Sequence, residues 1–358
     1  MRMRVVPFVL LLAAACATGG AMRDRETKID ALMQAYSDPH GPGASVLVVN
    51  DGTVVVRRSY GQADVEAGIA ATRQTNYRLA SVTKQFTALA ILMLSERGKL
   101  SLDDPISRFF PEFPAYGAGI TIRQLLTHTS GLPDYEDYMP EGLTIPLKDA
   151  DVLRILEQNP RPRFPPGTSY NYSNSGYSLL SLVVQRASGK DFATFLQGEV
   201  FAPLGMKGSV AFENGLSTVA NRAYGYSRNP TGWIRTDQSM TSSVLGDGGV
   251  YTSIDDLVRW DHELTSPHII RADTLKQAFN PAVRTDLPGD VQYGFGWRIS
   301  DYRGHHAVWH TGETIGFRNA ILRFPEERLT VVVLTNRDEG EPIELARKIA
   351  ELFQESPR

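Results

Sequence analysis

The chain has 358 residues, 42% of them hydrophobic, and a formal net charge of -3. That length and apolar content support one large domain, or two subdomains sharing a site. Charges of both signs are spread along the chain without a basic run or a basic-aromatic stripe, so nothing points to nucleic acid as a partner, and no stretch of 18 or more apolar residues reads as a membrane-spanning helix.

Residues 1–15 read as a signal peptide. Arg2 and Arg4 form a short basic region, and residues 5–15 form an apolar core too short to span a membrane. Ala13, Ala14 and Ala15 precede Cys16, the sole cysteine, so no internal disulfide can form. Cleavage after Ala15 with lipidation of Cys16 would give a membrane-attached bacterial lipoprotein. Ordinary cleavage nearby would release a soluble periplasmic or secreted protein. The run VLLLAAAC resembles a lipoprotein box, although Ala13 stands where Leu fits best. A lone cysteine directly after the apolar core favours lipidation, and both routes place the protein outside the cytoplasm. Residues 16–24 read as a tether.

Residues 25–36 then predict a surface helix. ASVLVVN (44–50) and TVVVRRSY (53–60) are β-rich runs joined through Asp51-Gly52, a strong hairpin signal. The stretch RLASVTKQFTALAILMLSERGK (78–99) is apolar without Pro or an internal Gly and predicts a buried helix starting near Ser81, with Gly98 as its stop. Short helices with start signals follow. Ser101 to Asp104 with Pro105, and Thr121 to Gln124, both read as capping boxes. Residues 149–158, 172–188 and 191–200 are helical patterns, and 253–264 is a capped amphipathic helix. From Gln292 strands return (YGFGWRIS, AVWH, FRNAILRF, LTVVVLTN), and residues 341–353 close the chain as a helix. The layout predicts an α/β (α+β) catalytic domain over 25–355. An antiparallel sheet flanked by helices would use residues 25–100 and 245–355. An inserted all-helical subdomain would use 101–244, with the site in the cleft between them.

Three groups in this layout can carry chemistry. Ser81 and Lys84, three apart at a helix start, share a face and can touch. A serine there, beside free backbone N–H groups and backed by an amine, suits a nucleophile and base. Ser-x-x-Lys also occurs by chance, and a serine at a helix start is often only an N-cap. Tyr172-Ser173-Asn174 follows a Pro-Pro-Gly break, where a loop can aim the phenol into a cleft. Asn174 could donate its amide N–H to a substrate carbonyl. His310-Thr311-Gly312 ends a strand, and an exposed strand edge can line a substrate that Gly lets approach closely. Read singly, the last two are an ordinary helix start and a hairpin turn. His128 reads as a structural histidine bonding backbone in a turn. No metal and no other cofactor is expected: His305 and His306 point apart on a strand, and there is no His-x-x-x-His or cysteine pair. Gly-x-Ser-x-Gly and Gly-rich phosphate loops are absent too.

Taken in order, Ser81-Val-Thr-Lys84, Tyr172-Ser-Asn174 and His310-Thr-Gly312 resemble the three-part signature of the serine β-lactamase and penicillin-binding family. The segments 79–106, 120–132, 165–189 and 246–260 resemble it as well, so the likeness covers roughly residues 25–355. The nearest branch resembles class C β-lactamases, D-alanyl-D-alanine carboxypeptidases, D-amino-acid peptidases and β-lactamase-like esterases. The resemblance implies that Ser81 attacks an acyl carbon while Lys84 and Tyr172 share the base and proton-relay work. It also implies an oxyanion hole from the backbone N–H groups of Ser81 and Glu313, and substrate contacts from Asn174, His310, Thr311 and Gly312. The implied partners are small: an ester, a D-amino-acid peptide or a β-lactam. His310 stands where class C enzymes have Lys, which argues against strong β-lactamase activity. Arg298, in GFGWR, sits near where carboxypeptidases keep an arginine for a terminal carboxylate, or it is a solvent-facing strand charge. The expected function is hydrolysis of ester or D-amino-acyl amide bonds through an acyl-enzyme. A D-alanyl-D-alanine carboxypeptidase or D-peptidase, a weak β-lactamase, and a non-catalytic protein that binds cell-wall peptides are the alternatives.

Overall fold

The computed structural model describes residues 9–354, with side chains from residue 20 on except Ala21. Residues 1–8 of the expected signal peptide and the side chain of Cys16 lie outside what is described. The helix expected from residue 25 begins earlier: α1 runs over Val9–Leu32, through the stretch read as a tether. No proline interrupts it, and the alanines around Gly19-Gly20 keep the segment compatible with a helix. Among the described residues no helix is long and apolar enough to cross a membrane.

Eight antiparallel strands form the main sheet. In chain order they are β1 (Ala44–Asn50), β2 (Thr53–Tyr60), β3 (Val283–Arg284), β4 (Gln292–Tyr293), β5 (Arg298–Tyr302), β6 (His305–Thr314), β7 (Phe317–Phe324) and β8 (Leu329–Thr335). Their spatial order is β3-β4-β5-β6-β7-β8-β1-β2, so the last strand inserts beside the first and joins the two ends of the chain. The β1–β2 hairpin turns at Asp51-Gly52, both with positive φ, as the Asp-Gly signal requires. Strand alternation gives the sheet two faces. One is covered by α1 and by the C-terminal helix, α5 (Pro342–Glu351), through Ile29, Met33, Ala346 and Ile349. The other packs on α2 (Lys84–Glu96), whose residues from Lys84 to Leu94 are all buried.

Residues 101–244 are not the all-helical subdomain expected: less than half of the segment is helix, and the rest is loops and short strands, among them the hairpin Tyr226–Asn229 with Gly232–Arg235. They include α3 (Asn174–Ser188), but also the strand Val210–Ala211, which pairs with Val250–Thr252. That strand pairs in turn with Tyr77–Arg78, directly before Ser81. The hydrophobic core runs unbroken from Leu47 through Leu92, Leu125 and Val183 to Trp260 on α4 (Ile254–Thr265). The capping box at Thr121 starts a helix at Ile122 as expected. The one at Ser101 does not. The Ser101 N–H donates to Asp104 Oδ2 and the Asp103 N–H to Ser101 Oγ in a turn, Pro105 is extended, and only a 3₁₀ turn follows at Ile106–Arg108. The same short polar side chains satisfy a turn as readily as a helix end.

Candidate active site

Ser81 lies in a 3₁₀ turn, Ala80–Thr83, that leads into α2. Ala80 takes φ 49°, a left-handed conformation that costs energy for a residue with a Cβ. The neighbours hold it there: Leu79 N–H donates to the Val250 carbonyl, Val250 N–H to the Thr83 hydroxyl, and Asn319 Nδ2 to the Arg78 carbonyl. On the sheet side Gly312 abuts the turn so closely that a Cβ would fall 1.9 Å from the Leu79 carbonyl oxygen. Gly312 therefore packs against the turn that carries Ser81.

The i, i+3 spacing brings the first motif together as expected. Lys84 is fully buried, and its Nζ lies 3.0 Å from Ser81 Oγ, 2.9 Å from Asn174 Oδ1 and 3.0 Å from the Asp247 carbonyl oxygen. An ammonium can donate to all three. A neutral amine can donate to two and accept the Ser81 proton with its lone pair. Asn174 starts α3, and this orients its amide: Oδ1 faces Lys84, while Nδ2 donates to Glu136 Oε1 at 3.2 Å. One of the two N–H groups expected for substrate is thus already used.

Tyr172 sits just before α3, half-buried, with Lys84 Nζ 4.9 Å from its ring centroid. His128 packs against it, tilted, at 4.3 Å between centroids, and its Nδ1 accepts the Ser173 N–H at 3.1 Å. His128 is therefore the backbone-bonding histidine of the sequence reading, at φ 59°. Burial, with Lys84 and Arg298 nearby, pushes its pKa well below the usual range.

His310 corrects an expectation. It does not offer a polar atom to the cleft. It is fully buried, its Nδ1–H donates to the Thr311 carbonyl at 2.6 Å, and its Nε2 accepts from the Tyr293 hydroxyl at 2.9 Å. Burial, reinforced by Arg298 and Lys84, holds the ring neutral by lowering its pKa well below the usual range. Burial also keeps Tyr293 protonated, as the donor to that nitrogen must be. Arg298 is not a solvent-facing strand charge. It pairs across the sheet with Trp309, donates from Nη1 to Thr311 Oγ1 at 2.8 Å and lies 5.7 Å from the Tyr172 ring. Thr311 is thus tied to Arg298 and is not among the residues that line the cleft around Ser81.

Ser81, Asn174 and Glu313 line one cleft together with Arg78, Glu136 and Asp247. The last three were not singled out in the sequence. Asp247 is buried, which pushes its pKa up to about 7, and its Oδ2 accepts from the Tyr135 hydroxyl at 3.3 Å. Burial likewise raises Glu136 and Asp134. Arg78 is committed to Ser242 and to the Gly248 carbonyl. The available signals were the Gly246-Asp247-Gly248 run and the acidic, tyrosine-rich loop after residue 132. Neither has a spacing that names a chemistry. Among the described residues no cluster of His, Cys, Asp or Glu could hold a metal ion.

The family model described as Beta-lactamase matches residues 27–354. "Penicillin-binding protein 4*" of Bacillus subtilis is 30% identical over 340 residues, which cover 90% of this chain and 74% of that protein. The octameric penicillin-binding protein homologue from Pyrococcus abyssi superposes with a TM-score of 0.80 at 26% identity, covering 93% of this chain and 77% of that one. The D-amino acid amidase from Ochrobactrum anthropi superposes with a TM-score of 0.79 at 23% identity, covering 92% and 99%, a likeness of fold. A serine and a lysine in contact at the head of a buried helix, walled by a sheet edge and the start of α3, are thus set in a fold shared with these proteins, and the chain belongs to the beta-lactamase family of acyl-enzyme-forming serine hydrolases.

Proposed function

We infer that Ser81 is the nucleophile and that the protein hydrolyses ester or D-amino-acyl amide bonds. The observation that carries this reading is the 3.0 Å contact between Lys84 Nζ and Ser81 Oγ, with the lysine fixed by Asn174 and the Asp247 carbonyl. Ser81 Oγ adds to the acyl carbon as its proton passes to Lys84, and Tyr172, beside the same amine, shares the relay. The backbone N–H groups of Ser81 and Glu313 receive the oxyanion. Collapse expels the alcohol or amine, which takes up the proton, and water then releases the acid from the Ser81 ester.

The wall chemistry favours a neutral or cationic substrate over an anionic β-lactam. Glu136 and Glu313 line the cleft, Arg78 is engaged elsewhere, and neutral His310 stands where a fixed lysine charge would attract a carboxylate. One observation supports a second reading, a D-alanyl-D-alanine carboxypeptidase: Arg298 places a guanidinium beside Thr311 and Tyr172. A turnover assay separates the two. A short-chain p-nitrophenyl ester and a peptide ending in D-Ala-D-Ala are offered to the wild type, Ser81→Ala and Arg298→Ala. Ester cleavage without released D-alanine supports the first reading. Released D-alanine, lost again in Arg298→Ala, supports the second. Loss of either activity by about 10³-fold or more is expected in Ser81→Ala, and activity that survives there would reject the nucleophile.

The export signal and the lone Cys16 support a periplasmic or outer-membrane lipoprotein. Radiolabelled palmitate entering the wild type but not Cys16→Ala is the expected result. An unlabelled, freely released protein would mean simple secretion.

A further inference from the structure

A second cavity lies behind the segment that carries Ser81. It measures about 560 Å³, within the range of small-molecule sites, and shares no lining residue with the catalytic cleft. The small sheet separates the two. Asn76 stands just before the strand Tyr77–Arg78, which leads to Ser81. Ser253 stands just after Val250–Thr252, which leads back to Gly248 in the catalytic cleft.

The charges in this cavity are unevenly committed. Asp256 turns inward: its Oδ2 accepts from the Gly208 N–H and from the Ser209 hydroxyl, each at 2.8 Å. Asp255 is paired with Arg57 at 3.0 Å and Arg73 at 3.4 Å. Lys207 and Arg259 are exposed lining residues, and neither forms an ion pair among the described residues. The two acids are thus satisfied from within the protein, and two cations are not.

Asn76 supplies a second, independent feature. It is 1% exposed and lines the cavity, and its Nδ2 donates to the Ala220 carbonyl at 2.6 Å, but its Oδ1 has no hydrogen-bond partner. A buried amide oxygen without a donor is costly to leave so. Gly208 lies against this amide, and a Cβ there would come within 2.9 Å of both Nδ2 and Oδ1.

We propose that this cavity binds a small carboxylate bearing an adjacent N–H or O–H donor, of the amino-acid or hydroxy-acid class. The carboxylate sits between Lys207 and Arg259, and the donor reaches Asn76 Oδ1. The site depends on neither Ser81 nor the catalytic reading. Calorimetric titration of the full chain with D-alanine, D-lactate, acetate and inorganic phosphate at fixed ionic strength tests it. D-alanine or D-lactate is expected to bind about tenfold or more tightly than acetate. That binding should fall by at least about tenfold in Lys207→Glu/Arg259→Glu, two exposed positions whose exchange leaves ester turnover unchanged. Binding that survives in the double variant would belong elsewhere and overturn the proposal. So would acetate and phosphate binding as tightly as D-lactate, or the absence of any heat at millimolar ligand.

Discussion

The two faces of the main sheet are made by the same strands and held by different means. On the outer face Val46 and Val48 of β1 and Val331 and Val333 of β8 meet Ala346 and Ile349 of α5, Ile29 of α1 and Met33 just after it, all apolar and buried. On the inner face Leu47, Val49, Val332 and Leu334 also pack in apolar surroundings. Toward the C-terminal end of β6, however, that face meets the buried polar groups Lys84, His128, Asp247, His310 and Asn319. The outer contacts are non-directional, so stability there is spread over many methyl groups and no single one is decisive. The inner contacts are directional pairs, each joining two elements at a fixed distance. A buried polar group that loses its partner bears the whole desolvation penalty. One face tolerates change by degrees, and the other registers it in the geometry of Ser81.

Four substitutions would break or sharpen that contrast. The largest effect is expected at the inner face, where Lys84→Ala and Tyr172→Phe should each slow acylation by about 10²–10⁴-fold. Their double variant should lose far less than the product of the two, because both groups serve one proton path. Pre-steady-state acylation rates measure this, and fully multiplicative losses would separate the two roles. Next comes the outer face. Ile349→Ala should cost about 2–5 kcal/mol in denaturant unfolding while leaving kcat per folded molecule unchanged. A fall in kcat would show that the faces are coupled. The smallest effect is expected at Asp247→Asn. The carboxyl keeps its proton in the folded protein up to about 7, whereas in the unfolded chain it loses it near 4. The cost of ionising it is therefore absent below about pH 4, grows as pH rises, and is complete above about pH 7. Asparagine should raise the melting temperature by a few degrees at pH 8 and give no gain at pH 4. A gain that is equal at both pH values would refute burial as the origin of the shift.

The sequence reading reached the fold class and the Ser81–Lys84 contact because both rest on short-range rules. A hairpin at Asp51-Gly52, a period-2 pattern and an i, i+3 spacing each fix geometry locally. It also foresaw that His128 bonds backbone. It did not reach the partners that immobilise Lys84, since one of them is the carbonyl of Asp247, and a carbonyl has no side-chain identity to read. Glu136 was hidden for a related reason: its position follows from a loop docking on α3 through Tyr135 N–H and Ser175 Oγ, far apart in sequence. His310 was placed on the correct strand but assigned to the cleft. Whether a strand-end side chain faces substrate or core depends on the tyrosine waiting beneath it, here Tyr293. Arg298 was legible as a charge near the site, but its bond to Thr311 depends on cross-strand register.

Gly312 bears on how this enzyme can be remodelled. Its backbone leaves no room for even a methyl group against the Leu79 carbonyl, so the sheet-side wall and the nucleophile turn move as one body. Enlarging the cleft for a bulkier acyl group cannot begin there without displacing Ser81. On the opposite rim, the turn Tyr135–Tyr138 is anchored by Tyr135, which is buried in the core, while Glu136 and Asp137 are exposed. Libraries that vary these exposed positions and leave Tyr135 and residues 310–313 alone should retain a working nucleophile while they search for new substrates, so the capacity to diversify is concentrated on one bank of the cleft.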